Sequence, residues 1–257
     1  MIRDYRRPRP RPWAEQKKAL KYAWMLPLMA IEWPFQWLSF VLGNWAFLEL
    51  LEYLGTFSVL VAVIFYFAES GNRIKQKHYQ AWQVINTAQG KGGSGGRVEA
   101  LQELNADGVP LVGVDVSGAF LQGINLSKAR LRRSDFSSAD LRNSNFQSAE
   151  LADANLSSAN FRGSSLRQAS LQGARLDDAD FWGTDLTGAD FSDASLADAD
   201  LRNADLKQFQ WRHISNIKGA NLYGVKNAPE GFVPWAIGQG AVQIESDEKW
   251  AAWQNSH

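Results

Sequence analysis

A repeat solenoid attached to an apolar helical anchor is the fold class this sequence predicts, and three observations predict it. A Leu or Phe returns at every fifth position from Leu121 to Leu206. A 23-residue apolar run, "AFLELLEYLGTFSVLVAVIFYFA" from Ala46 to Ala68, precedes that tract. Eight basic residues crowd positions 1–21, whereas no Lys or Arg occurs from Tyr22 to Ala68.

The five-residue beat excludes ordinary elements. Steps of five fall about 140° apart around a helix, and odd steps alternate faces on a strand, so neither gathers these side chains on one side. The chain must turn regularly. There are 18 consecutive centre positions, filled by 13 Leu and 5 Phe (Phe136, Phe146, Phe161, Phe181, Phe191). Two residues before each centre stands a small residue in all but one case: 13 Ala, Ser134, Ser144, Ser164 and Thr184, with Ile124 as the exception. Asp, Asn or Ser mostly fills the position between them.

In this form the tract resembles the pentapeptide-repeat family, whose signature is Ala-Asp/Asn-Leu-x-x. It stands almost verbatim in "ADLRN" at 139–143, "ANLSS" at 154–158, "ADFSD" at 189–193 and "ADLRN" at 199–203. The resemblance covers about residues 111 to 225. It implies an all-β, right-handed quadrilateral β-helix with four pentapeptides per coil, the centre and the small residue pointing inward. At the spacing of neighbouring strands, five coils give a regular part about 24 Å long. The narrow interior accounts for the small residue, since a second large side chain would collide with the centre.

Twenty residues per coil also align the outward positions. After the centre, one column reads Gln122, Arg142, Arg162, Trp182, Arg202; before it, the column reads Phe120, Asp140, Asn160, Asp180, Asp200. Trp182 interrupts a basic column where the family usually has a small polar residue. Arg142, Arg162, Trp182, Arg202, Asp180 and Asp200 are therefore the candidate partner-binding face. Charge is graded as well: Val116–Leu176 holds eight basic residues and four acids, and Asp177–Leu206 holds nine Asp and only Arg202.

The N-terminal third reads as a membrane anchor. Residues 1–21 form a basic Arg/Pro arm, extended and solvated. Residues 22–68 form the anchor region, with a transmembrane helix at about 46–68, long enough for a hydrocarbon core needing about 20 residues. Glu49 and Glu52 fall in its first turns. The stretch 22–45 contains Pro27, Pro34, Glu32 and several Trp, and it reads either as a helix in the membrane plane or as a first crossing. Arg73, Lys75 and Lys77 follow the second segment and favour a cytoplasmic repeat domain. The basic arm competes, because through a single crossing it could hold the N-terminus inside and send the repeats out. The resemblance implies a bacterial inner or plasma membrane.

Residues 69–96 read as a neck helix and a Gly-rich loop, "QGKGGSGG", which lacks phosphate-loop spacing. A capping helix is expected at 97–108 and the repeats at 109–226, with the register failing at "KQFQWRHISN" and resuming one residue late at Ile217. The C-terminal cap, 227–257, is expected to hold a short helix around 232–237 and a final helix with Ser246 as N-cap, with Trp235, Trp250 and Trp253 plugging the last coil.

No catalytic constellation is visible. There is no Cys, and His78, His213 and His257 lie at no metal-ligand spacing. The expectation is a non-enzymatic, membrane-anchored scaffold, binding the lipid bilayer and a protein partner or a second copy. No cofactor, metal, nucleic acid or small-molecule substrate is expected. Two other readings are open: a DNA-mimic regulator of a topoisomerase, as the resemblance to gyrase inhibitors implies, and an accessory subunit of a channel or transporter, suggested by Glu32, Glu49 and Glu52.

Overall fold

The structure is a computed structural model that describes residues 8–44, 46–87 and 94–256. The chain divides into two compact units, Met1–Arg73 and Ile74–His257.

In the first unit, helix α1 spans Trp13–Lys18 and helix α2 spans Leu26–Gly43. Pro27 lies at the start of α2, where its missing N–H costs nothing, and Pro34 lies inside it. Helix α3, Ala46–Thr87, begins in this unit and continues into the second. The helix expected at about 46–68 and the neck helix expected after it are continuous: α3 runs through Gly71 as one helix of 42 residues. A single helical Gly costs only about 1 kcal/mol relative to Ala. Within the first unit Arg73 lies over the Tyr66 ring at 4.3 Å and donates to the Tyr66 carbonyl at 3.0 Å. By length and composition alone, Ala23–Gly43 and Tyr53–Thr87 could each cross a membrane. The side chains of Glu49 and Glu52 lie outside the described residues, as do Gln89–Gly93 of the expected Gly-rich loop.

The basic arm departs from the solvated chain expected. Its described part folds back on α2: the Trp33 indole donates to the Arg11 carbonyl at 3.1 Å, Gln16 bonds Gln36 at 3.1 Å, and Trp13 meets Trp33 edge-on at 5.9 Å. The reason is the crowding of Trp on both segments, which offers the arm apolar area and stacking that water does not.

In the second unit the repeats form a coil stack. Parallel bridges join one residue in every five to the one twenty later, as in Asp115↔Asp135, Phe120↔Asp140, Asn125↔Asn145 and Arg130↔Glu150, and each of these four ladders continues up the stack. Asp140 shows the unit of pairing, donating to the Ala119 carbonyl at 2.9 Å and accepting from the Leu121 N–H at 2.8 Å. Among the described residues every bridge is isolated and no longer strand forms, so the all-β expectation for the coil is corrected to single-residue bridges between turns, while helices stand on both sides of it as expected. The cause is local. After each centre comes a β-turn, as in the bond from Ala139 N–H to the Phe136 carbonyl at 3.0 Å, and its third residue is left-handed, as Ser138 is at φ 57°. That turn ends any extended run within a few residues.

The Asp or Asn before the centre closes the turn. Asp135 accepts from the Ser137 N–H at 2.8 Å, and Asp180 from the Trp182 N–H at 3.0 Å. Such Asx bonds are why Asp and Asn recur at this position. The inward positions are buried throughout, and the five Phe form a continuous ring contact from Phe136 to Phe191, with Phe161 and Phe181 stacked at 5.2 Å. Buried hydroxyls in the small-residue slots bond backbone of neighbouring coils: Ser164 donates to the Leu141 carbonyl at 2.7 Å and accepts from the Ser144 N–H at 3.1 Å.

The expected register slip is present. Asp190 pairs with Gln210, but Ser195 pairs with Asn216, Asp200 with Asn221 and Asp205 with Lys226, so one extra residue enters between 210 and 216. Helix α4, Arg97–Ala106, covers the near end with Leu101 and Leu104 fully buried. The last turns of α3 pack there too, burying Ile85, and Lys77 pairs with Glu103 at 2.8 Å. At the far end helix α5, Phe232–Gly238, and helix α6, Asp247–Gln254, form the cap, with Ser246 capping α6 as expected. The plug is Phe232 rather than the three tryptophans: it is fully buried and continues the ring series 5.2 Å from Phe209. Trp235 stands beside it against Trp211 at 5.0 Å, whereas Trp250 turns to the side of the coil and donates to the Gly219 carbonyl at 3.3 Å.

Candidate partner-binding face

The outward column that includes Trp182 is built by the same turn that sets the core. Each of its members follows a centre residue, so the backbone aims it away from the axis while the Asx bond fixes its N–H. Arg142 is held within its own coil: Nε and Nη2 bond the two oxygens of Asp140 at 2.8 and 2.6 Å. That fork holds the Asp140 carboxyl below the usual carboxylate range. Arg162 instead reaches the next coil and pairs with Asp180. Its guanidinium lies 6.0 Å from the Trp182 ring centre, at the outer limit of a cation–π contact, and Trp182 is 45% exposed.

Arg202 and Asp200 do not belong to this open face. Both are buried, at 5% and 4% exposure. Arg202 grips Asp200 through two bonds at 2.8 and 2.6 Å, donates to the Glu245 carbonyl at 3.0 Å, pairs with Asp247 and lies 5.2 Å from the Trp250 ring. Bonding to Asp200 raises the Arg202 pKa further above its ordinary value, so the guanidinium stays charged. The column is cut short because α6 folds back over its last member. The exposed strip is therefore Arg142, Arg162 and Trp182, with Asp180 beneath it.

Sequence reasoning missed a lattice of bonds between neighbouring coils. Arg162 with Asp180, Arg167 with Asp185 at 3.0 Å, and Gln172 with Asp190 at 2.6 Å each join the residue after a centre to the acid before the centre one coil on. A recurring separation of eighteen between donor and acid was the available signal. Also missed was Asp178, a carboxyl whose pKa is raised by partial burial and then by Asp198 and Asp177 beside it. Among the described residues no cluster of His, Cys, Asp or Glu is suited to hold a metal ion.

Eight copies of the "Pentapeptide repeats" family profile match this chain, over residues 111–147, 149–185 and 169–208. The coil domain belongs to the pentapeptide-repeat family. Several solved structures are similar to it. A pentapeptide-repeat protein from the thylakoid lumen of Arabidopsis thaliana is 25% identical, covering 54% of this chain and 81% of its own, with a TM-score of 0.32. HetL of the cyanobacterium Nostoc, involved in heterocyst differentiation regulation, is 26% identical over 51% of this chain and 68% of its own, with a TM-score of 0.18. QnrB1, a plasmid-mediated fluoroquinolone resistance protein, is 20% identical over 55% and 80%, with a TM-score of 0.31. No curated protein matches the chain.

Proposed function

We propose that this protein is a non-enzymatic, membrane-anchored scaffold whose four-sided, right-handed pentapeptide-repeat coil presents an Arg/Trp strip to a protein partner or a second copy. The observation that carries the reading is the contrast on one surface: Trp182 is 45% exposed in a column whose three Arg are each paired with an Asp. A half-exposed indole flanked by guanidinium and carboxylate has the composition of an interface hot spot. The anchor rests on Tyr53–Phe67 of α3, where the described apolar side chains are exposed on all sides. The side of the membrane follows from the number of crossings. With two, both basic clusters stay in the cytoplasm together with the repeats; with one, the arm and the repeats are separated.

The test is association of the detergent-solubilised full chain, by cross-linking and co-purification, compared with the Arg162→Ala, Trp182→Ala double variant. Loss of a defined complex, with the melting temperature of the repeat domain unchanged, is the expected outcome; an unaltered set of complexes removes this face from consideration.

A second reading, a regulator of a topoisomerase by DNA mimicry, draws on the family resemblance. Residues 111–207 carry 14 acids against 10 basic residues, and the acids concentrate after Asp177. A DNA mimic is served by a continuous acidic surface, so this distribution ranks the reading second. Strong inhibition of gyrase supercoiling by residues 97–257 would reverse the order.

A further inference from the structure

The two apolar helices of the first unit are built differently. On α3 the exposed apolar residues Phe57, Val59, Leu60, Val63, Phe65 and Tyr66 surround the helix. On α2 they form one stripe, Leu28, Ile31, Phe35, Leu38 and Leu42, at spacings of three and four. The opposite side of α2 is covered by the arm: Trp33 bonds the Arg11 backbone, and Arg9 lies 5.4 Å from the Trp37 ring centre. Between the two sides, Glu32 accepts a bond from Gln36 at 3.1 Å, and Gln36 accepts from Gln16.

Those contacts fall near the middle of α2, not at its ends. If α2 crossed a bilayer, Arg9 and the neighbouring Glu15, Lys17 and Lys18 of the arm would be carried toward the hydrocarbon centre, where charged side chains are strongly disfavoured. Laid flat, the same arrangement costs nothing of that kind: the stripe enters the acyl boundary, the Trp cluster occupies the interface, and the arm lies among headgroups.

We propose that α2 is an in-plane helix seated by its Leu28/Ile31/Phe35/Leu38/Leu42 stripe on an anionic lipid surface, with the basic arm packed on its water side. The lipid is specified by charge, because residues 1–21 carry eight basic residues and two acids. This inference rests on the membrane-anchored reading. It leaves α3 as the single crossing, so the chain after α3 emerges on the membrane face opposite the arm. Eight basic residues on the arm outweigh Arg73, Lys75 and Lys77, which assigns the arm to the cytoplasm and revises the side expected from the residues after α3 alone.

The chain contains no Cys, so single-cysteine variants of the full protein are directly usable. Nitroxide labels at Leu28→Cys, Phe35→Cys, Leu42→Cys and, on α3, Val63→Cys would be read in vesicles of phosphatidylcholine and phosphatidylglycerol by their exposure to oxygen and to a water-soluble nickel chelate. The three α2 labels should report one shared shallow depth and Val63→Cys a deep one. A Phe35→Cys label as deep as that at Val63→Cys, with the other two shallow, would mean that α2 crosses and would overturn the proposal. Three aqueous α2 labels would overturn it in favour of a protein occupant. An aqueous Val63→Cys label sinks the membrane anchor itself. In phosphatidylcholine alone the α2 labels should shift toward water, and unchanged depths would refute the role of anionic lipid. A membrane-impermeant maleimide should reach Lys18→Cys and Asp193→Cys from opposite sides, and labelling of both from one side would refute the single crossing.

Discussion

Leu171 in the coil stack is completely buried, whereas Leu38 on α2 is 52% exposed. The repeat unit turns its apolar side chains inward at a fixed interval and its polar ones outward. In α1 and α2 no residue is buried, and polar side chains of α2 bond the arm and one another. Hydrophobicity alone therefore does not distinguish the packed core from the exposed apolar helices in this chain. The interval at which it recurs does: five residues demands a closed coil, three and four a helix with one free stripe.

The sharpest way to break that contrast is to place the same charge in both settings. Leu171→Asp buries a carboxylate with no partner in a close-packed interior and should cost several kcal/mol, enough to unfold the neighbouring coils, seen as lost cooperativity in thermal melts followed by circular dichroism. Leu38→Asp should leave the melting of residues 97–257 unaltered. Next in size is Arg202→Ala, which strands the buried Asp200 and releases α6. Breaking a buried pair from one side typically costs about 3–5 kcal/mol, and protease cleavage within residues 240–257 should accompany the loss. Ser164→Ala removes one bond given and one received inside the stack and should lower stability by about 1–2 kcal/mol in urea titrations.

The smallest effects have opposite signs at two aspartates. Asp140 is held below its ordinary pKa by Arg142, so its contribution is present above the unfolded value near 4 and disappears as pH falls through the lower, folded value. Asp140→Asn should destabilise slightly at neutral pH and match the parent in strong acid. Asp178 is raised by burial and by Asp198 and Asp177, so its carboxylate opposes folding at neutral pH and the penalty is relieved as pH falls through the raised value. Asp178→Asn should stabilise at pH 7, by no more than about 0.5 kcal/mol given its exposure, with the gain gone in acid.

How much of this was legible depended on sequence distance. The centre residues, the small slots, the slip after Leu206 and the Ser246 cap all follow from neighbours within a few residues, and the structure agrees with each. The fate of Arg202 was not legible, because what covers it comes from Glu245, Asp247 and Trp250, more than forty residues on. The return of the arm to α2 was hidden for the same reason: Arg11 and Trp33 are partners only once the chain reverses between α1 and α2.

The extra residue between Gln210 and Asn216 has a consequence for how such a coil can change length. Ser195, Asp200 and Asp205 all find partners one position later than the rule of twenty, and every ladder stays joined. A single corner has absorbed the surplus, and the sides beyond it are again in step. Growth of this fold is therefore not confined to whole pentads: a corner can act as an expansion joint, taking up a one-residue insertion without disturbing the columns that a partner would read.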